Sequence, residues 1–250
     1  MPLRLLLIFL TLLISAPFLS AKECQTLTVS GSNQWRPIAY SNEDKTQPLG
    51  IAYEVALELA NTLDLPIAIN VKLPWARAMK MLDDGELDMM AGVYWTEQRK
   101  DQYLFSLPIT NDTLNIFVKR GNEFKYHDFD DLAGKKLDLI RGTSLGNEFD
   151  QYIKQHIETS EVNTFSQQMA RLNVGRSDIV VLDPFTATQT LKDLKLSSKI
   201  VMLDTPMVVN PVHLIYSKKS PCVKYFDAMN SLIDKMQKNG RLDEIRNRYL

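Results

Sequence analysis

The sequence predicts an α/β protein of two lobes, each a mostly parallel sheet flanked by helices, and three observations carry that expectation. Short β-branched or apolar runs alternate with amphipathic stretches of helical period, the pattern of βαβ units on a parallel sheet. The series is run twice, once up to about residue 110 and again from there to about residue 205. No Gly/Ser-rich linker separates the two runs, so structured crossings rather than a flexible tether join the halves.

In order, "TLTVSG" is a strand ending at Gly31, and "LGIAYEVALELANTLDLP" is an amphipathic helix with Pro66 as its stop. "IAINVKLP" is a second strand, "WARAMKMLDDGE" a helix that breaks at Asp84-Gly85, and "LDMMAGV" a third strand. The segment "TLNIFVKRG" is extended. The second series reads "DFDDLAG" as a short capped helix, "KKLDLIRG" as a strand and "TSLGNEFDQYIKQH" as a helix opened by Thr143 and Ser144. "EVNTF" is a strand and "SQQMARLNVG" a helix; "SDIVVLD" is a buried strand and "PFTATQTLKDL" the helix after it. "PVHLIYSKK" is a strand crossing back, and two helices punctuated by Asn239-Gly240 close the chain.

The opening residues set the compartment. Arg4 precedes the apolar run "LLLIFLTLLISAPFL", and Ser20 and Ala21 precede the charged Lys22 and Glu23, the pattern of a secretory signal peptide spanning residues 1–21. An uncleaved anchor is the competing reading, since the apolar core is near the shortest membrane-spanning length. A lipid anchor on Cys24 is disfavoured, because Lys22 and Glu23 stand where such a site takes small neutral residues. The roughly 230 residues that remain fit one large domain or two small ones in an extracytoplasmic, periplasmic setting.

Composition removes several function classes. The net charge is -1 with both signs interspersed, which leaves no basic stripe for nucleic acid. The three histidines, His127, His156 and His213, are scattered, so neither a metal nor another cofactor is expected. Cys24 and Cys222, an even pair in an exported chain, read as a disulfide, with two buried free thiols as the alternative. The partner left is a small molecule or another protein.

Three segments put polar residues at strand ends, where open α/β sheets bind ligands. In "AGVYWTEQRKDQYLFS", Arg99 is either a surface guanidinium paired with Asp101 or Glu97, or a fork that grips a carboxylate. In "IRGTSLGNEF", Gly142 permits a tight turn, while Thr143 and Ser144 either cap a helix or present an anion site near Arg141. In "SDIVVLDPF", Asp183 either caps the helix beginning at Pro184 or receives an ammonium group. An arginine, a helix start and a carboxylate converging on one cleft match an α-amino acid. No Ser-His-Asp order, activated cysteine or phosphate loop is present, so the sum points to binding rather than chemistry.

These segments resemble the periplasmic solute-binding proteins of family 3, which serve ABC uptake systems for polar amino acids. The likeness runs from "LTVSGSNQWRPIAY" through "GIAYEVALELANTL", "MLDDGELDMMAGVYWTEQRKDQYLFS", "LAGKKLDLIRGTS" and "GRSDIVVLDPFTA" to "SLIDKMQKNGRLDEIRNRYL". It implies a type II periplasmic-binding-protein fold with two hinge crossings, lobe 1 comprising residues 22–111 plus 209–250 and lobe 2 residues 112–208. It further implies a monomer that delivers its ligand to an inner-membrane ABC permease. By position, Arg99 would hold the ligand carboxylate with Ser144 and backbone N–H groups around Gly142 and Thr143. Asp183 would accept the amino group, and Trp35 would pack on the side chain.

One departure bears on specificity. Where relatives carry small hydroxyl residues before the T-E-x-R, this chain has Ala91, Gly92, Val93, Tyr94 and Trp95, so Gly92, Tyr94 and Trp95 join the candidate ligand-facing set. The resemblance leaves two alternatives: a cyclohexadienyl dehydratase-like enzyme using Glu97 or Asp183 as general acid, and a sensor reporting to a separate membrane protein.

Overall fold

The computed structural model describes residues 23–249; the expected signal peptide lies outside them. The first lobe is built on three parallel strands. Leu27–Gly31 lies between Ile67–Ile69 and Met89–Tyr94, in register Leu27↔Ile67 and Val29↔Met89. All six residues of Met89–Tyr94 are buried, as expected for an inner strand covered on both faces. The helix Ile51–Thr62 turns Ile51, Val55, Ala56 and Leu59 toward this sheet, the i, i+4 stripe its sequence carries. It ends at Thr62 rather than at Pro66, because Asp64 takes a left-handed φ of 50° and turns the chain first. The helix Trp75–Asp84 stops where its sequence says, on a left-handed Gly85.

Two ten-residue strands, Thr110–Lys119 and Val208–Ser217, join the halves. They pair antiparallel, with Asp112 opposite Asn210, and Val208–Ser217 also pairs antiparallel with Met89–Tyr94. The far end of Thr110–Lys119 carries Val180–Leu182 and Ile200–Met202, both antiparallel to it. The continuous eight-stranded sheet is therefore antiparallel from Val180–Leu182 across to Met89–Tyr94 and parallel only at its first-lobe end, while the parallel pair of the second lobe forms a separate two-stranded sheet. In the second lobe Lys136–Ile140 and Glu158–Val162 run parallel, and a Leu137↔Ile179 bridge links them to the next strand.

Two expectations in this region are corrected. The strand expected over "EVNTF" is displaced to Glu158–Val162, because Thr164 caps the helix Phe165–Asn173 by accepting from the Gln167 N–H. The helix expected to open at Thr143 and Ser144 begins at Asn147, after Gly146. The capped turn over "DFDDLAG" is present as the 3-10 helix Phe129–Leu132, with a reciprocal capping box between Asp128 and Asp131.

The last helices, Phe226–Lys238 and Arg241–Asn247, are separated by Gly240 at φ 82° and return to the first lobe. There Arg241 holds Glu58 of the first helix through Nε and Nη2 at 2.9 and 2.8 Å, a two-pronged pair. Cys24 and Cys222 form a disulfide that pins the start of the described chain to this closing segment. Among the described residues no helix is long and apolar enough to cross a membrane.

Candidate ligand-binding cleft

A cleft of about 540 Å³ opens between the lobes at the carboxyl ends of the first-lobe strands, where the topology leaves loops rather than sheet. Arg99, Asp183, Ser144, Thr143, Trp35, Tyr94 and Gly92 line it.

Arg99 sits in a one-turn helix, Glu97–Lys100, capped by the Thr96 side chain. It is buried, with 9% of its surface exposed, and forms no ion pair within 4 Å among the described residues. Glu97 pairs with Lys100 at the surface instead, so the surface-charge reading of Arg99 fails. Nη1 donates to the Tyr94 carbonyl at 3.2 Å and Nη2 to the Gly142 carbonyl at 3.1 Å, across the cleft. These bonds leave most of the fork's five donors free. Burial pulls the guanidinium's pKa down, and the charge of Asp150 opposes that shift. A cation desolvated without a carboxylate is costly, and an anionic ligand group removes the cost.

The "RGTSLG" turn is arranged differently from expectation. Gly142 takes φ 74°, a region that favours glycine, and its carbonyl accepts from both Arg99 and the Trp75 indole, the latter at 2.8 Å. The Thr143 N–H and hydroxyl both donate to the Ile140 carbonyl, at 3.0 and 2.8 Å. The Ser144 hydroxyl donates to Asp150 at 2.5 Å and accepts from the Gly146 N–H at 3.0 Å. Neither residue caps the helix, and the Thr143 N–H and the Ser144 proton are already committed within the loop. Asp150 closes it by accepting also from the Leu145 N–H at 2.9 Å.

Asp183 caps its helix with one oxygen and leaves the other unbonded. Oδ1 caps the helix Pro184–Asp193 by accepting from the Thr186 N–H at 2.7 Å. Oδ2 is buried and has no hydrogen-bond partner, in a residue that is 1% exposed. Burial, followed by the nearby charge of Asp112, pushes its pKa well above the carboxylate range. Gln168, on the same lining, likewise leaves Oε1 unpaired while Nε2 donates to the Asp138 carbonyl at 2.7 Å. Two residues of the lining thus each carry a buried acceptor with no hydrogen-bond partner.

The aromatic wall depends on a residue that sequence reasoning passed over. Asp112 Oδ2 accepts from the Trp35 indole at 3.1 Å and from the Tyr94 hydroxyl. Burial raises this carboxyl to about 6, against those two hydrogen bonds. Gly92 keeps φ 83°, and a Cβ there would lie 3.1 Å from Ile38 and 3.3 Å from the Trp35 ring, so the wall packs on its bare backbone. Trp35 reaches the cleft from a small ribbon, Gln34–Trp35, Ala39–Ser41 and Pro48–Leu49, whose two- and three-residue strands leave no periodic signal. Trp95 is corrected: it is 36% exposed and lies off the lining, since it stands past the end of the buried strand, in the link to the Thr96 cap. Trp75, which sequence reasoning did not single out, lines the cleft and donates its indole N–H to the Gly142 carbonyl.

The lobes touch at several points around the cleft. The Arg36 N–H donates to the Thr186 hydroxyl at 3.0 Å, which donates back to the Arg36 carbonyl at 3.1 Å. The Glu97 N–H donates to Asn147 at 2.9 Å, and Asn210 Nδ2 donates to the Leu145 carbonyl at 3.0 Å. With the two bonds to the Gly142 carbonyl, these contacts describe a closed arrangement.

The chain is similar to known proteins along nearly its whole length. It is 26% identical over 239 residues to the L-cystine-binding protein TcyJ of Escherichia coli (strain K12), covering 91% of this chain and 84% of that one. An ancestral arginine-binding protein solved with arginine superposes with a TM-score of 0.74 at 23% identity, covering 90% of this chain and 98% of the other, a likeness of fold. A more distant relative is the membrane-bound lytic murein transglycosylase F of Pseudomonas fluorescens (strain Pf0-1), 22% identical over 83% of this chain but only 43% of that enzyme. Residues 27–250 match the family model described as bacterial extracellular solute-binding proteins, family 3. Fold, cleft and full-length match agree, and the chain belongs to the bacterial extracellular solute-binding proteins of family 3.

Proposed function

We propose that this protein captures an α-amino acid or a similar small zwitterion between its lobes and hands it to an ABC permease of the inner membrane. The observation that carries the reading is the unpaired Oδ2 of Asp183 in the same cleft as Arg99, a buried cation without a carboxylate. The first is a seat for an ammonium group and the second for a carboxylate, and a zwitterion satisfies both at once. The relative that binds L-cystine supports the ligand class. The protein works in the periplasm after removal of residues 1–21, as a monomer whose lobes divide into 22–111 plus 209–250 and 112–208. Gly92, Tyr94 and Trp35 shape the side-chain space, and Arg99, Asp183, Ser144, Thr143 and the Gly142 turn surround the backbone groups.

The role is binding, without catalysis. Glu97, one of the two acids a dehydratase-like reaction would use, is exposed and paired with Lys100. Incubation with prephenate should yield no phenylpyruvate. For binding itself, the protein is stripped of carried-over ligand by unfolding and refolding, then screened by thermal shift against amino acids, short peptides and organic acids. A ligand at a hundred times its Kd stabilises by about 2.7 kcal/mol, a readily visible shift. No shift with any amino acid or peptide overturns the proposal.

A further inference from the structure

Resting on that reading, we infer that the ligand is a zwitterion with an additional anionic group, an acidic amino acid or a short peptide bearing a second carboxylate. The charge on the cleft lining carries the inference. Four cations line it, Arg99, Lys45, Lys72 and Arg141, against the single carboxylate of Asp183. Arg99 and Asp183 are matched by the two ends of any α-amino acid. Arg141 is offset by Glu161, 3.0 Å away and not on the lining. Lys45 and Lys72 have no carboxylate within 4 Å among the described residues. Among the lining groups a neutral zwitterion therefore leaves Lys45 and Lys72 without a counter-charge, and a cationic ligand adds a third such charge; Asp112 and Asp150 lie behind the lining and are bonded to Trp35 and Tyr94 and to Ser144 and Leu145.

Exposed lysines are each weak partners because water screens them. Inside a cleft with apolar walls their fields are focused rather than dissipated, and Leu73, Trp75, Leu114 and Phe165 supply such walls beside them. Size points the same way. A cleft of about 540 Å³ falls within the roughly 300–1,000 Å³ of sites for drug-sized ligands, more than a free amino acid of some ten heavy atoms needs. There is room for a second carboxylate several bonds from the α-carbon.

The test uses matched pairs differing only in charge, L-glutamate against L-glutamine and γ-glutamylglycine against its C-terminal amide, with L-arginine as the cationic comparison. Calorimetric titration of ligand-stripped protein is expected to give at least tenfold tighter binding for the anionic member of a pair. That preference should shrink toward unity in the Lys45→Gln/Lys72→Gln double variant, whose exposed positions leave folding intact. It should also weaken as salt is raised, since partly exposed charges are screened over about 10 Å at 0.1 M. Equal or tighter binding of the neutral members or of arginine, or binding confined to uncharged amino acids, overturns the inference and leaves the binding role standing. An unchanged preference in the double variant overturns it as well. If no amino acid or peptide binds at all, the binding role itself falls, and the inference with it.

Discussion

Trp35 and Tyr94 meet edge to face, ring centroids 5.2 Å apart and planes at 85°, and both donate to the same oxygen of Asp112. One buried carboxylate thereby fixes two of the side chains that wall the cleft. Asp112 stands opposite Asn210 on the paired crossing strands, and Asn210 holds the Leu145 carbonyl of the second lobe. The aromatic wall and the loop that faces it are thus tied to neighbouring positions of one ladder.

Removing the Tyr94 hydroxyl tests that arrangement. Tyr94→Phe leaves Asp112 with one donor fewer in a site closed to water, at a cost of about 1–3 kcal/mol in unfolding free energy. Denaturant unfolding of the unliganded variant measures it. A loss below about 0.5 kcal/mol, the scale of an ordinary surface substitution, would show that Asp112 does not depend on this bond.

Asp183→Asn separates capping from binding. Asn caps a helix about as well as Asp, so the Thr186 bond survives while a buried carboxyl that is costly to ionise disappears. The unliganded variant should unfold at the same temperature as the parent or higher. Its ligand affinity should fall by about 2–5 kcal/mol, the range for removing one partner of a desolvated charge pair. A variant that is destabilised yet binds normally would assign Asp183 to the cap alone.

Arg99→Lys keeps the charge and removes the fork. A lysine cannot span the Tyr94 and Gly142 carbonyls and still present two parallel donors to a carboxylate. Affinity should drop by about 2 kcal/mol or more in calorimetric titration. Wild-type affinity would mean that no carboxylate is gripped there.

Acidity should move stability and binding in opposite directions. Burial raises Asp112 to about 6, and burial with the charge of Asp112 raises Asp183, both above the unfolded carboxylate value of about 4. Between those values the folded state holds more protons than the unfolded one, so these groups make the unliganded protein less stable as pH rises through the window. A ligand ammonium requires ionised Asp183, so affinity should instead weaken as pH falls from about 8 to about 5. Thermal unfolding with and without ligand across that range reads both slopes, and a ligand shift that grows on acidification contradicts the assignment.

Breaking the Cys24–Cys222 disulfide releases a closure of 198 residues. The Cys24→Ser/Cys222→Ser variant should lose about 2–5 kcal/mol in denaturant unfolding, while its ligand affinity stays unchanged because the bridge lies away from the cleft.

The α/β order, the boundaries of most elements and the candidacy of Arg99 and Asp183 follow from the sequence, because period, caps and strand-end position are local properties that neighbouring residues express. Sequence also placed the Gly85 and Gly240 stops, where a left-handed residue ends or separates helices. It failed where the deciding partner is remote. Asp112 looks like any polar residue on an extended strand until Trp35 and Tyr94, 77 and 18 positions away, bring their donors to it. Ser144 reads as a helix cap until Asp150 takes its proton, and Trp95 reads as a cleft residue until the strand is seen to end at Tyr94 and leave it exposed. Whether Asp183 caps a helix or awaits an ammonium group was undecidable from its neighbours. The fold shows the cap and adds a second oxygen buried with nothing to bond, since desolvation is set by everything that surrounds an atom and not by the residues beside it in the chain.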